Sequence, residues 1–434
     1  MYQVDRVTLS STSSISIVAF AFLLLCGFCG CEKSPEPQFR LNSVEKLSTE
    51  LMTLDEGETF PEEHIRQMGS ILTALFGTPN EPDFPFLFGE EDESHEIISL
   101  ENLQRAAGPV SKGPNGEHLG LYREHCSHCH GITGDGAGPT ARKLNPYPRD
   151  FRIGRFKYKS TPLGKRPTDG DLTRVLTNGI PGTAMPSFRS LPAEDLAALV
   201  DYVKYLSIRG QVEQQLLNKI SKLDEDEKLL DLSLAEDEDT LEDFEDQLYD
   251  LLNTEDSPSV LAAVIPKWYN TQRNITQPTP APASFDSKHP DHQQLVQRGR
   301  ELFRGAGGCV QCHGDTGLGD GETKSFDDWS KWAKDAKVDP DDPTTYAPFV
   351  AQGALPPRYI RPRNLNMKVY RGGNHPDDLY RRIVNGIEGT PMPSGVVLQK
   401  NPDDIWALVA FVKSLPYQPD NLEPSKSVNN KPIH

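Results

Sequence analysis

The sequence predicts an all-α chain in which two tandem copies of one domain are joined by an acidic helical linker. Three observations lead there. First, motifs recur in the same order: CSHCHG (126–131), NGIPGTAMPSF (178–188) and DLAALVDYVKYLS (195–207), then CVQCHG (309–314), NGIEGTPMPSG (385–395) and DIWALVAFVKSLP (404–416). The last pair aligns without a gap, which marks a duplicated unit. Second, each unit closes on an amphipathic helix. Leu196, Leu199, Val203 and Leu206 form the apolar stripe of the first, and Ile405, Leu408, Val412 and Leu415 that of the second. Third, no period-two alternation of any length is present, so no extended strand is expected.

The organisation along the chain follows. Residues 1–31 form a signal or anchor segment and 32–109 a polar extension. The first repeat spans 110–210, an acidic and Pro-rich linker 211–289, the second repeat 290–418 and a tail 419–434. Within the extension, Ile65, Met68, Ile71, Leu72 and Leu75 follow helical spacing from about Pro61 to Phe76, and Gly77 stops the helix. Gly299, Leu302 and Phe303 belong to a short helix that leads into the second pair of cysteines. In the linker, Val212, Leu216, Ile220 and Leu223 form one stripe and Leu241, Phe244, Leu248 and Leu251 another. A helical hairpin docked on one of the repeats is expected there. QPTPAPA (277–283) then reads as a stiff extended connection.

Charge is concentrated rather than spread. The formal net charge is -18, and residues 224–256 alone hold sixteen Asp/Glu against one Lys. Phosphate binding needs clustered Lys and Arg, so nucleic acid is not an expected partner. The acidic run reads as a solvated face or as a docking surface for a basic protein.

Residues Ile15 to Cys31 form an apolar run followed at once by the polar EKSPEPQ. Position and composition fit an export signal. A run ending in a small residue and Cys resembles a bacterial lipoprotein signal, with Gly30 before Cys31 as the acylated residue. An uncleaved membrane helix and simple cleavage are the alternatives. All three place the rest of the chain outside the cytoplasm, on the periplasmic side. No Cys is then left for a disulfide.

The chemistry lies in two C-x-x-C-H groups. Thiols at that spacing can form thioethers to two haem vinyl groups, and the adjacent His can serve as an axial ligand. Cys126, Cys129 and His130 would hold one haem c, and Cys309, Cys312 and His313 a second. A zinc site or a redox dithiol could use one such group, but two copies at equivalent places in a repeat favour haem. Of the six Met, only Met185 and Met392 occupy equivalent positions, each in an N-G-I-x-G-T-x-Met-Pro loop. A thioether is a soft ligand that favours reduced iron. Both are therefore candidate iron ligands, with Met367 as a competitor in the second unit. Arg149 in PRDF and Arg363 in PRNL also correspond, and each is a candidate partner for a haem propionate. His125 and His128 read as spacers.

On these motifs, residues 110–208 and 290–416 resemble class I cytochrome c domains of the kind found in respiratory diheme cytochromes. The resemblance implies crossing N- and C-terminal helices near each haem, one exposed haem edge and low-spin His/Met iron. It also implies Tyr122 and Phe303 as aromatic residues of the first helices. The second unit departs from the pattern: His313 and Met392 lie 79 residues apart, against 55 for His130 and Met185. The excess falls mainly in 320–360, with Trp329 and Trp332, and either covers the haem edge or decorates the fold.

Iron closed by His and Met leaves no position for a substrate and suits electron transfer. The expected role is an anchored relay of single electrons between protein redox partners. The alternatives are a diheme dehydrogenase or peroxidase, marked by the loss of one Met ligand, and a haem-bearing subunit of an oxidase or quinol-oxidising complex.

Overall fold

A computed structural model describes residues 36–85, 97–224, 227–231, 233–234, 240–253, 260–321, 325–326, 332, 336 and 338–417. Cys31, Trp329, residues 235–239 and the tail 419–434 lie outside the described residues. Of the unit Met1–Gln38 only 36–38 are described, without regular structure; Phe39 onward forms a second unit.

Helices dominate. In chain order they are α1 (Ser43–Thr53), α2 (Glu62–Phe76), α3 (Leu100–Ala106), α4 (Leu121–His125), α5 (Ser127–His130), α6 (Asp169–Asn178), α7 (Ala193–Ile220), α8 (Leu241–Asn253), α9 (His292–Arg304), α10 (Val310–His313), α11 (Pro343–Ala351), α12 (Pro376–Asn385) and α13 (Pro402–Ser414). The strands are two-residue antiparallel pairs, β1 (Ser111–Lys112) with β2 (His118–Leu119) and β3 (Ser325–Phe326) with β4 (Tyr359–Ile360). None of the described helices is long and apolar enough to cross a membrane.

The second repeat shows the plan most simply. α9 crosses α13, with Gly299 set so closely against α13 that a Cβ would meet the Ala407 carbonyl oxygen at 2.0 Å. Phe303 meets Phe411 with ring centroids 5.2 Å apart, and Arg298 pairs with Asp404 at 2.9 Å. The first repeat makes the same contacts from a divided helix. Arg105 on α3 pairs with Asp195 at 2.5 Å, and Tyr122 on α4 meets Tyr202 at 4.8 Å. Asp195 and Tyr202 are the counterparts of Asp404 and Phe411 in the ungapped closing segments. The single crossing helix of the second repeat is thus split in the first, with the β1–β2 ribbon inserted. α3 falls within the stretch read from sequence as a polar extension, yet it completes the first domain.

The extension is also more than a loose appendage. α2 starts after Pro61 and stops at Gly77, as its pattern predicts, and buries Met68, Ile71, Leu72 and Phe76 in the first core. The hairpin expected from residue 211 takes a different form, because α7 runs unbroken for 28 residues. Gly210, where the sequence places the end of the first repeat, lies inside this helix. In the fold it keeps helical geometry and lets Arg152 approach, since a Cβ would stand 2.4 Å from the Arg152 Cα. Val212, Leu216 and Ile220 therefore continue the closing helix. α8 returns across this core through Leu248, Leu251 and Leu252.

The insertion of the second repeat packs on its neighbours. Trp332 stacks on Phe349 at 4.2 Å, beside Val44 and Leu47 of α1. Leu355 joins Ala141 and Tyr147 of the first domain, and the Tyr147 hydroxyl donates to the Pro356 carbonyl at 3.1 Å.

Candidate functional site

Each C-x-x-C-H group forms a four-residue helix or its cap, α5 and α10, ended by a glycine with positive φ, Gly131 or Gly314. The helix sets the geometry of the imidazole that follows the second thiol. His130 is buried, its ring stacks on Phe151 at 4.4 Å, and Nδ1 lies 2.9 Å from the backbone carbonyl oxygen of Arg149. His313 repeats the arrangement, with Nδ1 3.3 Å from the Arg363 carbonyl. A carbonyl can only accept, so Nδ1 carries the proton and Nε2 keeps its lone pair for a metal. Burial pushes the His130 pKa down to about 4, against the opposing pull of the Arg149 carbonyl, and lowers that of His313. Both imidazoles are therefore neutral near pH 7.

The turn after each histidine is duplicated as well. Gly136 N–H donates to the His130 carbonyl and Gly319 N–H to that of His313, both at 2.9 Å. Phe151 N–H donates to Gly134 at 2.8 Å, and Leu365 N–H to Gly317 at 2.7 Å. These bonds bring PRDF and PRNL back against the histidines. The G-x-T-G-x-G-x-G run that begins at Gly131 and Gly314 forms this turn and is a local signal that the motif reading above passed over.

The Cys126 and Cys309 thiols are neutral too. Desolvation raises the Cys126 pKa to about 12 and that of Cys309 to about 11. None of the four motif cysteines forms a disulfide.

The loops of Met185 and Met392 share one internal design. Ile180 N–H donates to the Met185 carbonyl at 3.1 Å and Ile387 N–H to that of Met392 at 3.2 Å. The Thr183 hydroxyl donates to the Ile180 carbonyl at 2.8 Å and accepts from Met185 N–H at 3.1 Å. Thr390 does the same between Ile387 and Met392, at 2.9 and 3.2 Å. Gly179 (φ 64°) and Gly386 (φ 71°) allow the fold-back: a Cβ at either would strike the Met-Pro backbone. Both Met side chains are half-buried, whereas Met367 is 59% exposed.

The residue types present fit a covalently held haem. Each site has two free thiols and an imidazole with one nitrogen already committed. Arg371 Nε is buried with no hydrogen-bond partner, as an anion-binding guanidinium would be before its anion is added. A family model described as cytochrome c oxidase, cbb3-type, subunit III matches residues 116–203, and one described as cytochrome c matches 296–416. The chain is a diheme c-type cytochrome. Its two cytochrome c domains imply two covalently bound haems c with iron. No curated protein matches this cytochrome. A chain of the Kuenenia stuttgartiensis reducing HAO-like protein complex aligns over 71% of the cytochrome and 98% of itself, at 23% identity and a TM-score of 0.40.

The two arginines contribute something the sequence did not suggest. Their backbone carbonyls orient the histidines, a role open to any residue type. The Arg363 side chain donates from Nε to the Val369 carbonyl at 3.1 Å. Burial and the nearby Arg371 lower its pKa. Of the spacer histidines, His128 is exposed, whereas His125 lies 5.8 Å from the Phe188 ring with a buried Nε2.

Proposed function

We propose that this cytochrome relays single electrons between redox proteins outside the cytoplasm, with His130 and Met185 as axial ligands in the first domain and His313 and Met392 in the second. The observation that carries this reading is the duplication of the whole site. Histidine tautomer, carbonyl acceptor and Thr-braced methionine loop are the same in both domains. An enzyme that used one haem for catalysis would need an open position at that haem, and neither loop departs from the shared design.

Bound haem supplies a one-electron iron couple. The chain's residues supply its setting. The histidines present an unprotonated Nε2, the thioethers favour Fe(II), and burial limits rearrangement on oxidation. Arg149 and Arg363 are proposed as propionate partners beside their carbonyl roles. Cys31 is proposed as an acylated N-terminus that anchors the protein to the periplasmic face of a membrane. One acyl chain binds only marginally, so two or more are expected.

The donor in this account is a quinol-oxidising complex or dehydrogenase, and the acceptor a terminal oxidase or soluble carrier. The match to a model of an oxidase subunit favours a second reading, a haem-bearing subunit of such a complex. Stopped-flow mixing of the reduced protein with an oxidised soluble cytochrome tests the relay. Oxidation of both haems in concentration-dependent phases is expected. No exchange, together with tight co-purification with membrane subunits, would replace the relay with the subunit reading.

A further inference from the structure

The methionine loops are also where the two domains meet. Glu388 stands four residues before Met392, at the position that Pro181 holds in the first repeat. Its carboxylate crosses to the first domain, where Oε2 accepts from Lys159 Nζ at 2.9 Å and from Gly164 N–H at 2.8 Å. The two side chains are only 4% and 15% exposed. At the start of the same loop, buried Asn385 donates to the Ser160 carbonyl at 3.2 Å and accepts from the Thr276 hydroxyl of the linker at 2.6 Å. The opposite direction is also occupied. Arg371 of the second domain donates from Nη2 to the carbonyl of Gly182, three residues before Met185, at 3.3 Å. Arg363 lies against the same glycine, where a Cβ would stand 2.5 Å from its Nη2.

We propose that Glu388 and Arg371 are positioning residues through which each domain holds the other's methionine loop, making the two haem sites one redox unit. The inference rests on reading Met185 and Met392 as iron ligands. Both loops lack regular secondary structure, so their place is set by the hydrogen bonds they make. A thioether is a weak ligand, and a small shift of its loop decides whether the iron bond forms. Each loop makes its internal Thr bonds alone but needs the partner domain to fix it in space. Lys159–Glu388 is a partly desolvated ion pair, an arrangement that favours one defined geometry more than overall stability.

The test is a crossover in the full-length, haem-loaded protein, with carbon monoxide as probe of the Fe(II) form. Lys159→Met, in the first domain, should open the second haem. The carbon monoxide-bound fraction of that haem should rise about tenfold or more, and its Met–Fe(III) absorption band should weaken. Arg371→Ala, in the second domain, should do this to the first haem. Lys159→Arg should restore the closed state. The spectra of Met185→Ala and Met392→Ala identify which haem has opened. Variants that open only the haem of their own domain, or neither haem, overturn the clasp. If Lys159→Met fails to retain two haems, Arg371→Ala carries the test, because it leaves no buried carboxylate behind. Carbon monoxide binding by the unmutated protein would instead count against the relay reading on which the clasp rests.

Discussion

The backbone carbonyl of Arg149 accepts a hydrogen bond from Nδ1 of His130 at 2.9 Å, and burial holds that imidazole's pKa at about 4. Loss of an axial histidine to acid requires protonation of Nε2. The folded pKa lies below the ordinary value of 6.5, so the neutral, iron-binding form persists until the pH approaches 4. The unfolded chain takes up that proton earlier, so the contribution of His130 to stability is present above 6.5 and declines as the pH falls toward 4. The proton must also displace iron from Nε2, so the low-spin visible spectrum of the first domain should hold from neutral pH down to about 4 or below. A high-spin spectrum already at pH near 6 would contradict the assignment.

The paired contacts Arg105–Asp195 and Arg298–Asp404 are equivalent in topology but not in burial. The Arg105 side chain is 22% exposed and that of Arg298 51%. Arg298→Ala should cost little, as the loss of an exposed ion pair does. Arg105→Ala should cost more, about 1.5–3 kcal/mol, the range for a hydrogen bond to a charged group. Denaturant midpoints of the two variants decide the order. Equal losses would mean that α3 does not serve as the split counterpart of α9.

Thr183 and Thr390 hold their loops through the same two bonds. Thr183→Val keeps the shape and removes the hydroxyl, at a cost of about 1–3 kcal/mol for the unmade bonds. The first haem's Met–Fe(III) band should weaken while the second keeps its own. Thr390→Val should do the reverse. If neither band changes, the loops are held by something other than their threonines.

The acidic stretch offers a test of partner choice. Asp243, Asp246 and Asp250 project from α8, whose apolar residues pack on the first domain. Charge reversal across 242–250 should slow association with a basic redox partner and flatten the salt dependence of the rate. An unchanged rate and salt profile with every partner would leave the segment as a solvated face.

Much of this was legible in the sequence, and the unread parts have physical causes. The duplicated motifs marked both sites, because thiol spacing and a glycine-braced methionine loop are local features written in adjacent residues. α2 was legible for the same reason, through its apolar period and Gly77. The split of the first crossing helix was not, because the Arg105 and Tyr122 contacts are long-range and an inserted ribbon breaks the period between them. The boundary drawn after residue 210 falls inside α7, because Gly210 keeps helical geometry while admitting a neighbouring backbone. The carbonyl role of Arg149 and Arg363 has no side-chain signature. Glu388 could have been noticed as the residue that breaks the repeat at Pro181, although its partner Lys159 lies more than two hundred positions away.

Both irons should be closed by His and Met, and carbon monoxide added to the fully reduced protein is the decisive probe. At neutral pH the visible spectrum should hardly change, and the ferric protein should show the Met–Fe(III) band at about two per chain. Met185→Ala should open only the first haem and Met392→Ala only the second, each lowering the potential of its own haem. Prompt carbon monoxide binding by either haem of the unmutated protein would contradict the account and mark that haem as a site of catalysis.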